Sequence, residues 1–559
     1  MWTFGSAIPR KVEVTNPADT DETLAMPTKR IEVPARPHHE YFREKCFRFG
    51  VKKAMVDVKS DHPLTFLEIL EKIENFAGAL QSFGVQPRDR VALHGNNSID
   101  LFVAHLAVQF VNATVVLCKT SLTIRELLYQ CEMSDVKFII TDSHAYETAM
   151  EVSKQSAGVE MVIFADMHKA PEGYDDVMTM KGILSERFNF EPPDDVEPRE
   201  DCILIAFTSG TTGLPKGVLH THFSLQAQFE CSGDEGAKLI RSTDVVLQWC
   251  PSSHISGAVL LPAAVATGAV SVIANANPDA DDFVGICERH QISSVMVFPV
   301  VLRKVIEVMR ANPGTCRSLK HVTAGGSVVA VSLSEALIQL LDLTSYRILF
   351  GMSETLLAAM TDENKLTVTS IGRPFPNTEM RILDVSTRTA LPPFEKGELA
   401  IRGDSVMKAY DKNPEASAAI FIEDGFLLTG DYGYCDDQGQ FYILERLKQM
   451  IKCMDNQLAP AELEDFLMQH DAIKEIVVIG VPDEIYGEAP TAYTVLDGGY
   501  EATEELREEL QNMIKDEFAV YKHLYGGLHF TESLPKTDSG KFARAELKLL
   551  VLEGKLNVF

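Results

Sequence analysis

An apolar run, Ile203-Leu204-Ile205-Ala206-Phe207, passes without a break into Thr208-Ser209-Gly210-Thr211-Thr212-Gly213-Leu214-Pro215-Lys216-Gly217. Five consecutive apolar residues bounded by turn formers read as a buried strand. The ten that follow hold three threonines, one serine, three glycines and one lysine. A strand that ends this way bares backbone N–H groups, and glycine lets that backbone wrap closely around a polyphosphate. Lys216 adds a point charge for phosphate oxygens. The pattern is not a P-loop, which needs glycine just before the lysine and Ser or Thr just after it. Here Pro215 precedes Lys216 and Gly217 follows. The fold must therefore carry a buried strand whose carboxyl end opens into a phosphate-wrapping loop.

The surrounding chain alternates short apolar runs with helical patterns. Thr65-x-x-Glu68 is a capping box ahead of apolar positions from Phe66 to Phe83, and Gly84 supplies the stop. Strands are expected at Val91–Leu93, Val115–Cys118, Phe138–Thr141, Val245–Trp249, Ala269–Ala274 and Val295–Phe298. Helices are expected at Ser98–Phe110, Glu126–Cys131, Asp281–His290 and Val300–Met309. Such alternation argues for parallel α/β layers, in which ligands lie beyond the carboxyl ends of strands. Two further strand ends carry chemistry-bearing residues, His321-Val322-Thr323-Ala324-Gly325-Gly326 and Leu349-Phe350-Gly351-Met352-Ser353-Glu354. Pro192–Asp201 reads as a surface connector. From Glu445 the texture changes. A helix at Pro460–His470, strands near Ile476–Gly480 and Thr491–Leu496, and a charged helix at Thr503–Phe518 suggest a compact α+β unit.

The order Thr208 to Gly217 resembles the phosphate loop of the adenylate-forming superfamily. That superfamily includes acyl-CoA synthetases, 4-coumarate–CoA ligases, beetle luciferases and adenylation domains of peptide synthetases. Phe350-Gly351-Met352-Ser353-Glu354 resembles its aromatic-Gly-x-Thr/Ser-Glu motif. The resemblance implies that Phe350 stacks on adenine, Ser353 holds phosphate and Glu354 holds Mg²⁺, a hard cation that wants carboxylate oxygen. Gly325 and Gly326, like Gly351 and Met352, are implied to line the nucleotide. Gly397-Glu398-Leu399-Ala400-Ile401-Arg402-Gly403, followed by Tyr410, resembles a segment read as scaffold. Asp431 of Leu428-Thr429-Gly430-Asp431 corresponds to an aspartate that binds both ribose hydroxyls, a role suited to two acceptor oxygens.

Glu445-Arg446-Leu447-Lys448 is similar to the interdomain hinge, with Glu445 where the family more often has Asp and Arg446 implied to contact ribose. Lys452 stands where the family places a lysine of the second half-reaction. Lys541, in Pro535-Lys536-Thr537-Asp538-Ser539-Gly540-Lys541, matches the catalytic lysine. His254, in Pro251-Ser252-Ser253-His254-Ile255-Ser256-Gly257, aligns with a histidine of the acyl pocket, although the family commonly has an aromatic at Ser252 or Ser253. Asp455 replaces a glycine that borders the family's thiol channel, adding a negative charge there.

The implied fold is α/β: a large N-terminal AMP-binding domain (1–444) of layered, largely parallel α/β subdomains, and a small mobile C-terminal α+β domain (445–559). The implied activity is that of a carboxylic acid–CoA ligase using ATP, Mg²⁺ and coenzyme A on a small carboxylate, either a fatty acid or an aromatic propenoate. A luciferase-like adenylating monooxygenase, a carrier-protein-loading domain and a catalytically impaired acyl- or nucleotide-binding relative are the alternatives.

At 559 residues the chain exceeds a single core. Its formal net charge of −28 argues against nucleic acid or an anionic membrane surface as the main partner. The ten cysteines form no CxxC pair, which suggests buried thiols in a reducing compartment. Gly257 to Ala276 carries no charge, but Pro262 and internal glycines favour a buried helix followed by a strand over a membrane span. Met1-Trp2-Thr3-Phe4-Gly5 lacks the pattern of a secretion signal, so an intracellular, cytoplasmic location is expected. The peroxisome is the alternative, although Leu556-Asn557-Val558-Phe559 is not a Ser-Lys-Leu address.

Overall fold

The computed structural model describes residues 29–559 apart from 168, 175–176, 209–214, 276–278, 327–328, 330, 364–369, 455 and 537–541. An eight-stranded sheet is built around Arg90–His94, Thr114–Leu117, Val136–Thr141, Met161–Phe164 and Cys202–Thr208, all parallel. These strands read as unbroken Val/Ile/Leu runs because helices cover both faces, and Val115, Val116, Leu204 and Ile205 are fully buried. At one side the sheet turns antiparallel. Cys202–Thr208 pairs with Lys216–Thr221, which in turn pairs with Ala409–Tyr410.

A second sheet, of nine strands, has a parallel centre of Val245–Gln248, Val270–Ile273, Ser294–Val297, His321–Gly325 and Ser345–Met352. Lys53–Asp57 inserts beside Val270–Ile273, a pairing that no local periodicity announces. Leu356–Met360 folds back antiparallel on Ser345–Met352. Between the sheets run the helices Phe66–Ser82, Ile99–Phe110, His222–Ser232 and Ile255–Thr267. One core joins them, reaching from Leu93, Ile140 and Leu204 of the first sheet to Met55, Ile273 and Leu349 of the second.

The local signals act as expected. Thr65 Oγ1 accepts from the Glu68 N–H at 3.2 Å, while Glu68 Oε2 accepts from the Thr65 N–H at 2.8 Å. The uncharged stretch forms the helix Ile255–Thr267 and the strand Val270–Ile273, nearly all of it buried. Among the described residues no helix is long and apolar enough to cross a membrane.

Downstream, Thr378–Leu383, Gly397–Gly403, Leu427–Cys435 and Phe441–Arg446 make a four-stranded antiparallel sheet. The last part of the chain packs Ile451–Cys453, Asn456–Leu458, Ile473–Asp483, Gly487–Leu496 and Leu528–Phe530 into another sheet. Its own core includes Ile451, Leu463, Leu467, Val478, Leu510 and Phe530. The helix expected to reach His470 stops at Leu467. The chain there tightens through the His470 N–H to Leu467 carbonyl bond of 3.0 Å so that Ile473 can begin a strand.

Candidate functional site

Thr208 and Lys216 sit opposite one another at the base of the hairpin that carries the hydroxyl-rich loop. Ser209, Gly210, Thr211, Thr212 and Gly213, the expected phosphate-wrapping residues, lie outside the described residues. The loop therefore starts and ends on adjacent, hydrogen-bonded strands. Lys216 Nζ lies 4.9 Å from the centre of the Tyr410 ring, within cation–π range.

The second strand end supplies Gly325 and Gly326. Gly325 is buried, and a Cβ there would stand 2.6 Å from the Leu349 carbonyl oxygen. Gly326 has φ +85° and a Cβ would press on the Phe298 ring, so both shape and conformation demand glycine.

The third strand end carries Phe350, Gly351, Met352, Ser353 and Glu354. A bulge at Phe350–Gly351 bends Ser345–Met352 before it reverses, and a Cβ on Gly351 would collide with the Leu356 carbonyl. Phe350 and Met352 are half-buried, and Gly351 is exposed. Ser353 and Glu354 occupy the turn. His220 Nε2 meets the Ser353 carbonyl oxygen at 2.7 Å. A carbonyl only accepts, so Nε2 carries the proton. Burial holds the His220 pKa down at about 4, which keeps the ring neutral near pH 7. The Glu354 side chain is only 6% exposed, and its Oε1 accepts a 2.8 Å hydrogen bond from the Tyr410 hydroxyl.

Asp431 and Arg446 face each other across neighbouring strands of the antiparallel sheet. Arg446 Nε lies 2.9 Å from Asp431 Oδ1, and Arg446 Nη1 donates to the Thr429 carbonyl at 2.9 Å. The aspartate is almost fully buried while the arginine is exposed on one side. Lys216 and Glu354 thus meet on the two ends of one residue, Tyr410. Glu445 accepts from the Arg446 N–H at 2.8 Å and from the Ala461 N–H at 3.2 Å, so its carboxylate serves the first turn of helix Pro460–Leu467. Burial pushes the Glu445 pKa up.

Lys452 and His254 make none of these contacts. Lys452 is exposed on the hairpin of Ile451–Cys453 and Asn456–Leu458, its N–H bonded to Glu488 Oε2 at 3.0 Å. Asp455 and Lys541 lie outside the described residues. Flanking Lys541, Lys536 bridges Phe542, and Arg544 pairs with Glu464. His254 is the N-cap of helix Ile255–Thr267: its Nδ1 accepts from the Ser256 N–H at 3.2 Å and lies 2.8 Å from Ser256 Oγ. That contact orients the ring and gives it a structural task whatever else it does.

Hydroxyl-bearing loop, buried carboxylate and lysine are the donor types a magnesium-bound polyphosphate requires. Among the described residues no cluster of three or more His, Cys, Asp or Glu forms a closed metal cage. A single oxygen donor such as Glu354 suits Mg²⁺, which takes most of its ligands from substrate phosphates and water. Sequence reasoning passed over His220 and read Tyr410 as scaffold. Their partners are far away in the chain, and no spacing signal marks them.

Residues 42–411 match the model of the AMP-binding enzymes, and 462–541 match that of the AMP-binding enzyme C-terminal domain. The chain is 27% identical over 528 residues to 4-coumarate–CoA ligase 1 of Petroselinum crispum, covering 93% of this chain and 95% of the relative. It is 29% identical over 486 residues to luciferin 4-monooxygenase of Nipponoluciola cruciata, covering 85% and 87%. In fold it resembles ATP-bound MatB from Rhodopseudomonas palustris, with a TM-score of 0.83, 21% identity and coverage of 92% and 99%. It also resembles the anthranilate CoA ligase AuaEII in complex with anthranoyl-AMP, with a TM-score of 0.82, 20% identity and coverage of 93% and 98%. With its strand-end motifs in order and two thirds of its length matched by one family model, the chain belongs to the AMP-binding enzymes of the adenylate-forming superfamily.

Proposed function

We propose that this AMP-binding enzyme is a carboxylic acid–CoA ligase. In the first step a carboxylate oxygen attacks the α-phosphorus of ATP, the bond to the β-phosphate breaks, and acyl-adenylate and pyrophosphate form. In the second, the sulfur of coenzyme A attacks the acyl carbon, AMP leaves and a thioester results. The observation that carries this reading is the joining of Lys216 and Glu354 through one tyrosine, at the open end of the phosphate-loop hairpin.

Both reactants of the first step are anions, so catalysis must come from positioning and charge. The backbone of 208–217 and Lys216 hold the departing pyrophosphate. Ser353 receives phosphate, and Phe350 packs on adenine beside Gly325, Gly326, Gly351 and Met352. Asp431, oriented by Arg446, takes the ribose hydroxyls. Glu354 is the residue that would hold Mg²⁺, which when bound neutralises phosphate charge. Lys541 would screen the carboxylate from the α-phosphate as they approach. The unit 445–559 then turns about Glu445–Lys448, withdrawing Lys541 and presenting Lys452 for the thiol step; His254 borders the acyl group. A hinge of a few residues at an element end is the usual way to make such an exchange.

Similarity to a luciferin 4-monooxygenase supports a second reading, in which O₂ replaces the thiol after adenylation. A panel of fatty and aromatic acids, run with ATP and with or without CoA under air, separates them, with products identified by mass. Thioester from at least one acid is expected. Adenylate and an oxidised product with light, and no thioester, would reverse the conclusion.

A further inference from the structure

Ala409–Tyr410 is a two-residue strand on the edge of the first sheet, and the residues around it bond alternately to two parts of the nucleotide site. The Met407 N–H donates to the Glu354 carbonyl at 2.8 Å, and Ser405 Oγ to the Thr355 carbonyl at 3.1 Å. The Lys408 N–H donates to Leu219 at 2.9 Å, and the Asp411 N–H to Gly217 at 2.7 Å. One side of this segment therefore grips the turn that ends in Glu354, and the other grips the strand that begins at Lys216. Arg90 holds the buried Asp411 carboxylate through two bonds of 2.7 and 2.9 Å, fixing the segment from beneath. The Tyr410 N–H is itself bonded to Ser417 Oγ at 2.9 Å.

We propose that Tyr410 is a positioning residue that holds the Glu354 carboxylate and the Lys216 ammonium in fixed register, its hydroxyl on one and its ring face on the other. The proposal rests on the reading above, in which Glu354 takes the metal and Lys216 a phosphate. A purely structural tyrosine here would need only its ring. Val218, Met407 and Leu427 form the apolar wall around it, and phenylalanine would fill that wall equally well. A hydroxyl buried without a partner costs free energy, so the bond to a buried carboxylate is what makes tyrosine fit. By occupying Oε1, that bond directs the other carboxylate oxygen as the metal donor and prevents the side chain from swinging. Outer-shell donors of this kind set metal affinity in other sites.

The test is a titration of a fluorescent ATP analogue with Mg²⁺, comparing wild type, Tyr410→Phe and Tyr410→Leu, with melting curves of the unliganded proteins. Tyr410→Phe keeps the ring. It should raise the Mg²⁺ concentration for half-saturation roughly ten- to hundredfold while leaving metal-free affinity unchanged, with melting lowered only by the loss of one donor to a buried carboxylate. Tyr410→Leu should also weaken metal-free binding, because Lys216 loses its aromatic face. In a Glu354→Gln background, Tyr410→Phe should add nothing. A Tyr410→Phe titration that superimposes on wild type, or an undiminished effect in the Glu354→Gln background, overturns the proposal alone. Wild-type binding that ignores Mg²⁺ overturns the parent reading and the proposal together.

Discussion

Glu354 is buried in a turn tethered by the Tyr410 hydroxyl, the Met407 N–H and, one residue earlier, the neutral His220 ring. Lys452 stands exposed on a three-residue hairpin strand, its backbone N–H donating to Glu488 Oε2. The first arrangement is preorganised: every group is fixed by partners from another sheet, so little rearrangement is needed as charge develops. The second leaves a long cationic side chain in solvent, where it can meet a partner surface only when its whole unit is brought there. The contrast suits an enzyme that grips nucleotide once and changes the lysine it presents to it.

The sharpest way to break the contrast is Glu354→Gln, which keeps shape and removes the charge. Pyrophosphate release should fall about a hundredfold, while Lys452→Ala should leave it unchanged; equal losses would erase the distinction. Asp431→Asn should raise KM for ATP roughly tenfold, with kcat less affected, as read from initial rates over ATP concentration. A change in kcat alone would remove Asp431 from the ribose.

Acid probes the same buried plan through stability. Burial pulls the pKa of His38 from 6.5 to about 3, and those of His105 and His220 to about 4. Between these values and 6.5 the unfolded chain binds more protons than the folded one. Stability is thus fully present above pH 6.5 and lost as pH falls toward 4, so the melting temperature should drop by roughly 5 °C or more. A flat profile across that window would show that these rings are charged or hydrated in the fold. The smallest effect belongs to Asp455. Replacing Asp455 by glycine should speed the thiol step roughly fivefold, the size of one weak repulsion removed, without changing adenylation. Burst kinetics with equal gains in both steps would contradict it.

Much of the frame could be read from the sequence because its signals are local. The apolar run at 203–207 became the strand Cys202–Thr208, Thr65–Glu68 became a capping box, and the uncharged stretch became a helix and strand. The motif residues at 325–326, 350–354 and 431 fall at strand ends or in strands for the same reason. What escaped was the joinery. Tyr410 and Glu354 are 56 residues apart, and His220 and Ser353 are 133 apart. Those bonds depend on how two sheets pack, which periodicity does not encode. Lys53–Asp57 beside Val270–Ile273 was hidden likewise.

Carboxylate-dependent exchange of labelled pyrophosphate into ATP, run without CoA, tests the division of labour directly. Wild type should exchange with at least one acid of the panel, Lys541→Ala should abolish exchange, and Lys452→Ala should retain it. Exchange that survives Lys541→Ala, or that disappears with Lys452→Ala, would contradict a site that adenylates with one lysine and completes the reaction with the other.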